Sequence, residues 1–437
     1  MTTSSPSLFV HEVIDSRPLG RLQCWAIAMC ILVAVLDGFD TQTIGMLAPA
    51  MSKELGIPIK SFGPIFSAGL VGMLMGAVVL GPLADRYGRK TMIVLSSILF
   101  GSLSLATAYA TSFDQLLVLR LLTGVGLGGA LPNAISLASE YAPKQHARTT
   151  VATLMCGMPL GAVLGGLVSS ALLPAHGWHS VFIVGGILPL AVALLACAFM
   201  PESARFLIAR GGDPRKLAAI MRRIAPDLGA AQVYRAPVAQ RKGVPVRELF
   251  TGGRAIDTVL LWIPYFMNLV VLYFIVSWMP AVLIGAQHPV TVGITAISLF
   301  SFGGVAGSIA QGPLMNRFGA RRVLLCELLG YAALAVVLAS WSASFAAVAA
   351  VSLLMGVAVQ GAQAGFNALA AEIYPTHMRA SGVGCAVGIG RIGSICGPLL
   401  GGVMLGLQWD VSHIFMAGIV PALIAATAVA VNRKTRA

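Results

Sequence analysis

The chain has 437 residues, of which 57% are hydrophobic and only 10% are charged, whereas about 25% of the residues of soluble domains are charged. A mean hydropathy of +0.86 over this length excludes a water-soluble globular protein and predicts an integral membrane protein. The net charge of +13 is compatible with nucleic-acid binding by itself, but the basic residues follow the apolar segments instead of forming one binding surface.

Apolar runs of about 20 residues recur along the whole chain, as expected of membrane-spanning helices. The first 20 residues are polar and show no cleavable signal pattern, so the first run is predicted to remain in the mature protein. Twelve runs are predicted to span the lipid bilayer: 22–44, 60–82, 91–110, 115–137, 149–172, 179–199, 256–283, 290–312, 323–341, 345–368, 379–403 and 410–431.

The basic residues are concentrated at the termini and in every second loop between these spans. Of 29 Lys and Arg residues, 25 lie at the termini or in loops after even-numbered spans, while Arg120 and Arg391 lie inside spans. This bias is typical of cytoplasmic loops, which face anionic lipids. Both termini are therefore predicted to be cytoplasmic, and the basic composition requires no nucleic acid.

The largest polar interruption divides the spans into two groups of six. The pattern predicts a cytoplasmic N-terminal tail (1–20), an N-terminal six-helix half (21–200), a cytoplasmic central loop (201–255), a C-terminal six-helix half (256–431) and a cytoplasmic tail (432–437). Within the loop, "PRKLAAIMRRI" (214–224) is compatible with a helix on the membrane surface, although a solvated linker is the simpler interpretation.

Two motifs recur in the second half at one offset. "GPLADRYGRK" (81–90) matches "GPLMNRFGAR" (312–321) at an offset of 231 residues. "SEYAPKQHAR" (139–148) matches "AEIYPTHMR" (371–379) at an offset of 231 to 232. The repeats predict a duplicated six-helix unit, and two such halves around a midplane cavity are typical of secondary transporters.

These motifs resemble those of the major facilitator superfamily over the whole chain. "GPLADRYGRK" is similar to the family's loop motif G-x-L-a-D-r-x-G-r-k, and "RLLTGVGLGGALPN" (120–133) and "PESARFL" also fit. "LDGFDTQTIG" (36–45) and "GIGRIGSICGPLLGG" (388–402) resemble the aromatic acid:proton symporters of that superfamily. The resemblance implies an all-α membrane fold with twelve helices in two pseudo-symmetric halves. It also implies uptake, with a proton, of an aromatic carboxylate of the hydroxybenzoate, benzoate or hydroxyphenylpropionate type.

Two acids lie late in span 1. At 1.5 Å per residue, Asp37 is about 22 Å from the cytoplasmic edge of a core about 30 Å thick. Arg120, in antiparallel span 4, is about 8 Å from the outer edge and so at similar depth. Asp37 and Asp40 share a helix face with Thr41, so we expect the acids to meet Arg120.

Two adjacent carboxylates in a low dielectric do not both ionise readily, and a nearby guanidinium favours ionisation of one of them. The two acids and Arg120 are therefore predicted to form a proton-coupling site. The alternative is a structural clamp that holds span 1 to span 4, and the two roles are compatible.

Arg391 lies near the midplane, about 18 Å from the start of span 11. No acid of that span lies one helical turn away, and a guanidinium matches a carboxylate with two parallel hydrogen bonds. Arg391 is predicted to bind the substrate carboxylate. The alternative is a salt bridge between the two halves, to Asp37 or Asp40.

An aromatic substrate needs flat apolar walls and polar groups for ring hydroxyls. The remaining substrate-binding candidates are Phe39, Thr41, Asn133, Tyr265, Asn268, Trp278, Gln360, Gln363 and Asn367, with Phe266, Tyr273, Phe274 and Phe302 as further aromatic candidates. For each aromatic residue singly, core packing or lipid contact is the simpler interpretation. Gln360, Gln363 and Asn367 have the i, i+3, i+7 spacing of one helix face, which we expect to look into the cavity because lipid offers amides no partner.

The resemblance implies that the loop motifs brace the cytoplasmic side of the outward-open state. The gating candidates are Asp85, Arg86, Arg89, Lys90, Glu140 and Arg148 in the first half and Glu372 and Arg379 in the second. In the second motif copy, Asn316 and Ala320 replace an Asp and an Arg, which predicts a weaker second gate. The positive-inside bias by itself explains the basic residues but not the acids.

Several chemistries are excluded by missing patterns. The sequence contains no GxxxxGK[ST] phosphate-binding loop and no GxSxG nucleophile motif, and its seven cysteines are scattered without a CxxC pair. We predict no cofactor, no metal site and no enzymatic activity. The predicted protein is a monomeric symporter of the bacterial inner membrane; the alternatives are a proton-coupled exporter of small organic acids or drugs, and a non-transporting membrane sensor of aromatic acids.

Overall fold

The computed structural model describes residues 8–210, 214–227, 234–235, 246–251, 253–341, 344–375 and 378–432. Helices dominate this part of the chain, as predicted. The helices are α1 (Val10–Asp15), α2 (Arg21–Leu55), α3 (Phe62–Tyr87), α4 (Arg89–Thr107), α5 (Phe113–Tyr141), α6 (Lys144–Met155), α7 (Gly157–Phe199), α8 (Ala204–Ala209), α9 (Pro214–Ile224), α10 (Ala255–Gly285), α11 (Val290–Phe318), α12 (Ala320–Trp341), α13 (Phe345–Ile373), α14 (Arg379–Gly406), α15 (Val411–Ala417) and α16 (Ile419–Val431).

Eleven helical segments in the described residues are long and apolar enough to cross a membrane. One of them, Lys144–Phe199, has 56 residues, far more than the roughly 20 that one crossing needs. Its chain turns at Gly177, whose φ of 71° is a left-handed conformation that favours glycine. This segment therefore supplies the fifth and sixth predicted spans, and the prediction of twelve spanning helices is confirmed.

Glycines allow the helices of each half to pack at backbone distance. A Cβ added to Gly72 of α3 would lie 2.0 Å from the Leu121 carbonyl oxygen of α5. A Cβ added to Gly303 of α11 would lie 2.0 Å from the Leu353 carbonyl oxygen of α13. Gly72 and Gly303 are related by the repeat offset of 231 residues. The duplication therefore preserves the contacts of small residues on which membrane helix packing relies.

The two halves meet in the part of the bundle remote from the chain termini, which we call the closed end. There Ser67 Oγ of α3 donates to the Ile395 carbonyl oxygen of α14 at 2.8 Å, and Ser301 Oγ of α11 donates to Gln42 Oε1 of α2 at 3.2 Å. These are the two side-chain hydrogen bonds between the halves among the described residues. Apolar side chains of both halves, among them Phe66 and Trp278, pack into one buried cluster there, so the contact between the halves is mainly apolar.

Short elements lie beside the N-terminal half at the end of the bundle that carries the termini. Leu8–Phe9 (β1) pairs in parallel with Tyr234–Arg235 (β2), a two-residue ladder that the sequence did not predict. Arg17 forms an ion pair with Asp227 after α9, and its hydrogen bonds lower the pKa of Asp227 from the ordinary value. These contacts join the N-terminal segment to the central loop.

The glycine contacts predict a sharp cost for one added methyl group. Gly124→Ala should destabilise the protein by about 1–3 kcal/mol through overpacking, since its Cβ would lie 2.0 Å from the Gly69 carbonyl oxygen. Gly330→Ala on α12 is the matched control, because its Cβ would meet no atom within 4 Å. Thermal unfolding in detergent should show a lower midpoint for Gly124→Ala alone; equal midpoints would contradict backbone-level packing of α3 on α5.

Candidate functional site

A buried ion pair joins α2 to α5 in the N-terminal half. Arg120 Nη1 lies 3.1 Å from Asp40 Oδ2, and the two side chains are only 4% and 2% exposed. Ser104 Oγ on α4 donates to the other Asp40 oxygen at 2.6 Å. Both oxygens of the carboxylate therefore have partners, which a buried charge requires.

The Arg120 guanidinium is held by further contacts. Its Nη2 donates to Thr107 Oγ1 at 2.7 Å and to Thr123 Oγ1 at 3.3 Å. Its Cζ also lies 5.2 Å from the centre of the Phe182 ring, within the range of a cation–π contact. Helices α2, α4, α5 and α7 thus converge on one charge.

Asp37 has different surroundings, although it lies one turn from Asp40. Its side chain is fully buried, and Thr41 Oγ1 donates to its Oδ1 at 3.2 Å. Its Oδ2 accepts no hydrogen bond from the described residues. Our expectation that both acids meet Arg120 is therefore correct for Asp40 and wrong for Asp37, because the two Nη atoms of Arg120 donate to Asp40 and to hydroxyl groups of α4 and α5 instead.

A cavity between the halves lies next to the ion pair. Its walls are Asp40, Thr41, Ile44, Gly45, Ile65, Phe66, Gly69, Leu70, Met73, Arg120, Thr123, Gly124, Leu127, Tyr273, Val276 and Ser277. The wall therefore combines apolar side chains of α3 with the charged pair on one side and the Tyr273 and Ser277 hydroxyl groups of α10 on the other. An apolar cavity with a few polar groups is the usual form of a small-molecule site.

Arg391 lies on α14 in the opposite half and is half-buried. Its charge acts electrostatically on Asp37 of the other half and on Tyr265 and Tyr273 of α10. Its side chain forms no hydrogen bond or ion pair with the described residues, so the direct salt bridge to Asp37 or Asp40 is not present. Arg391 is thus a central cation whose hydrogen-bond donors remain available to an anion.

An amide cluster lies between α10 and α13, near Arg391. Tyr265 donates its hydroxyl hydrogen to Asn367 Oδ1, and Asn268 Nδ2 donates to Gln363 Oε1 at 3.0 Å. The structure thus brings four predicted residues together. Gln360 instead turns toward α11, where its Nε2 lies 3.5 Å from the Phe300 carbonyl oxygen, so the prediction that the three side chains of α13 share one surface is wrong for it.

Three other substrate-binding candidates do not line the cavity. Phe39 is 3% exposed, because its ring packs against glycines of α7. Asn133 donates to the Gly129 carbonyl oxygen of its own helix at 2.7 Å. Trp278 donates to the Pro398 carbonyl oxygen at 2.8 Å and packs edge-on against Phe66, so it belongs to the contact between the halves at the closed end.

Comparison with known proteins decides the family. The model of the Major Facilitator Superfamily matches residues 30–310 and 261–437. The chain belongs to the Major Facilitator Superfamily. It is 41% identical to the 4-hydroxybenzoate transporter PcaK of Pseudomonas putida, with 98% of this chain and 96% of that protein covered. It is 37% identical to the gallate transporter of Pseudomonas putida, with 98% and 95% covered.

The solved structures agree on the fold. The inward-open xylose transporter XylE from E. coli superposes with a TM-score of 0.73 at 18% identity, with 92% of this chain and 94% of that chain covered. The protein is therefore a multi-pass membrane transporter with the superfamily's fold, and it is not an enzyme.

The superfamily loop motif forms a charge network beside the N-terminal half. Arg89 forms an ion pair with Glu140, which also accepts a hydrogen bond from Ser203 Oγ. The Lys90 backbone N–H donates to Glu202 Oε1 at 3.0 Å. The predicted residues Arg89, Lys90 and Glu140 thus contact neighbouring helix ends.

The other gating candidates of the first half form contacts outside the Arg89–Glu140 network. The Asp85 carbonyl oxygen accepts a hydrogen bond from Arg210 Nε at 3.3 Å, and the Arg86 guanidinium lies over the Tyr87 ring. The side chain of Arg148 lies outside the described residues. The central loop therefore also contacts this motif.

The second half lacks the corresponding network within the described residues. Glu372 and Arg379 are exposed, and neither forms a hydrogen bond or ion pair with another described residue. The contrast with Arg89 and Glu140 agrees with the substitutions at Asn316 and Ala320 in the second motif copy.

Several residues that build the site were not among the site predictions. Ser104, Thr107 and Thr123 hold the ion pair, but isolated hydroxyl residues in an apolar span carry no specific signal. Glu202, the second residue of the motif "PESARFL", was likewise not among the site predictions. Glu327 on α12 does carry a signal in the sequence. It is an acid within an apolar span, as Asp37 is.

The ion pair predicts unequal costs for two neighbouring substitutions. Asp40→Asn should lower the free energy of unfolding by about 3–5 kcal/mol, because Arg120 would remain buried without a counter-charge. Ser104→Ala removes one hydrogen bond to the same carboxylate and should cost about 1 kcal/mol. Denaturant unfolding of the purified variants measures both values, and equal costs would show that the pair contributes no more than an ordinary hydrogen bond.

Proposed function

We propose that the protein imports an aromatic carboxylate together with at least one proton across the bacterial inner membrane, with both termini in the cytoplasm. The observation that carries this proposal is the arrangement of charges in and near the cavity. Asp40 and Arg120 line it as a compensated pair. Asp37 lies one helical turn from Asp40 and Arg391 lies on α14 of the other half; neither lines the cavity, and neither forms an ion pair with the described residues.

The substrate class rests on the anion site and on the relatives. A planar guanidinium is suited to a carboxylate, and Arg391 is a half-buried cation whose side chain forms no hydrogen bond or ion pair with the described residues. The relatives named above transport 4-hydroxybenzoate and gallate, which are both hydroxylated benzoic acids. The amide cluster of α10 and α13 offers donors and acceptors for ring hydroxyl groups, and Tyr273 offers an aromatic face.

The coupling mechanism follows from the field of Arg391. Its positive charge favours the ionised form of Asp37. When a substrate carboxylate binds Arg391, that stabilisation is lost, so Asp37 takes up a proton more readily. Linkage is reciprocal, so a proton on Asp37 strengthens substrate binding by the same factor. In this scheme Asp40 remains the ion-pair partner of Arg120.

Alternating access follows from the contact between the halves. With the predicted orientation, the closed end faces the periplasm, and the conformation described here is inward-facing. Asp37 is fully buried in it, so exchange of its proton with the periplasm requires the halves to rock apart at the closed end. Such a movement breaks the hydrogen bonds of Ser67 and Ser301 and separates the apolar side chains that pack there.

Two rival functions make different predictions. A proton-coupled exporter of the same fold would exchange the aromatic acid against protons, so it would move the acid out of the vesicle when the outside is more acidic than the interior, whereas the proposed symporter would accumulate the acid inside under that gradient. A non-transporting sensor would bind the acid without any flux in proteoliposomes. Labelled 4-hydroxybenzoate in proteoliposomes of fixed orientation, under pH gradients of both signs, distinguishes the three functions.

Arg391→Ala should weaken substrate binding by about 10- to 100-fold, since a hydrogen bond to a charged group contributes about 1.5–3 kcal/mol. The matched control is Arg379→Ala, which removes an exposed guanidinium at the start of the same helix. Binding of 4-hydroxybenzoate to purified protein by calorimetry provides the measurement. Unchanged affinity in Arg391→Ala, or equal losses in both variants, would remove Arg391 from the substrate site.

Asp37→Asn should abolish accumulation of labelled substrate driven by an imposed pH gradient and should retain exchange of labelled for unlabelled substrate, because only proton binding is lost. Asp114→Asn, at an exposed acid in the first turn of α5, is the control and should accumulate substrate like the wild type. Full pH-driven accumulation by Asp37→Asn would refute its coupling role.

A further inference from the structure

A half-buried acid of the C-terminal half has no part in the mechanism above. Glu327 lies in the third turn of α12, and its Oε2 accepts a hydrogen bond from Gln311 Nε2 of α11 at 3.1 Å. Gln311 is 2% exposed. An acid at such a position in a membrane bundle is expensive and usually functional.

Two oxygen atoms of this pair approach the same point on α13. Glu327 Oε1 lies 2.7 Å, and Gln311 Oε1 lies 3.3 Å, from the position that a Cβ on Gly361 would occupy. Gln311 Oε1 is buried and accepts no hydrogen bond from the described residues. Two acceptor atoms therefore converge where Gly361 leaves space, and no donor of the described residues lies between them.

No cation compensates the Glu327 carboxylate within the described part of the chain. Four helices pack on α12, namely α11, α13, α15 and α16. The charged or titratable groups of these helices and of α12 itself are Arg317, Arg321, Arg322, Cys326, Tyr331, Glu372 and His413, and none forms a hydrogen bond or ion pair with Glu327. Tyr331 and, from α10, the neutral Asn268 line one small cavity with Glu327.

We propose that Glu327 and Gln311 form a second proton-binding site, in which Glu327 is a neutral carboxylic acid in this conformation. Its Oε1–H then donates to Gln311 Oε1 while Gln311 Nε2–H donates to Glu327 Oε2. This reciprocal acid–amide pair supplies the missing donor and leaves no unpaired charge. Binding is a simple proton transfer from water to the carboxylate, and the only bond formed in the protein is the O–H bond.

The site is separate from the cavity beside Asp37 and does not rest on the proposed substrate or on the direction of transport. It is connected to the candidate anion site through polar groups. Glu327 shares a cavity with Asn268, and Asn268 donates to Gln363 in the amide cluster near Arg391. Asn268 therefore links the cavity at Glu327 to the amide cluster near Arg391.

Infrared difference spectroscopy on the purified full chain tests the proposal. A step from neutral to alkaline pH should remove a protonated-carboxyl C=O band from the wild type. Glu327→Gln should lack that band, whereas Glu372→Gln, at an exposed acid on α13, should retain it. A spectrum of Glu327→Gln that keeps every protonated-carboxyl band of the wild type would overturn the proposal.

Two further variants keep the proposal falsifiable if Glu327→Gln folds poorly. Gln311→Ala should shift the Glu327 band to higher frequency, since the acid would lose its hydrogen-bond partner. Gly361→Ala should shift it as well, because its Cβ would lie only 2.7 Å from Glu327 Oε1 and would displace the carboxyl group from Gln311. Wild-type thermal stability should fall as the pH rises, since deprotonation leaves a buried unpaired charge; unshifted bands in both variants, with pH-independent stability, would show that Glu327 carries no proton.

Discussion

A fully buried guanidinium inside a membrane protein is costly unless it is paired, and Arg120 is paired with Asp40 in the N-terminal half. The pair is almost completely buried and is surrounded by hydroxyl groups of α4 and α5. Because Asp40 is occupied in this way, Asp37 is left without an ion pair. The proposed function depends on this division of roles: one acid holds the structure together, and its neighbour responds to the charge of Arg391.

The packing of the halves is consistent with rigid units that move against each other. Gly72 and Gly303 occupy equivalent positions of the duplicated unit and allow equivalent backbone contacts. Between the halves, the described hydrogen bonds are limited to those of Ser67 and Ser301 at the closed end. Two of the three clusters of buried apolar side chains among the described residues belong to one half each with the central loop, and the third joins the halves at the closed end, so movement between the halves has to separate that third cluster.

The sequence predicts the spans well and the side-chain directions less well, for a physical reason. Hydropathy and basic loops report depth and order, so the twelve spans and the similar depth of Asp40 and Arg120 follow directly. They do not report how each helix is rotated, which depends on contacts between helices. Gln360 was therefore assigned to the cavity although it packs beside Gly304, and Phe39 was assigned to the substrate although the glycines of α7 accommodate its ring. Glu327 lies inside the predicted span 323–341 and was not among the site predictions, although the sequence alone shows an acid in an apolar span.

The most direct test of the proposed coupling is the movement of protons that accompanies substrate entry. Proteoliposomes without an imposed pH gradient are given 4-hydroxybenzoate outside, and a pH-sensitive dye outside the vesicles reports proton uptake. The account predicts that substrate entry alkalinises the outside medium for the wild type and does not do so for Asp37→Asn. Substrate entry without any pH change in the wild type, or an undiminished pH change in Asp37→Asn, would contradict it.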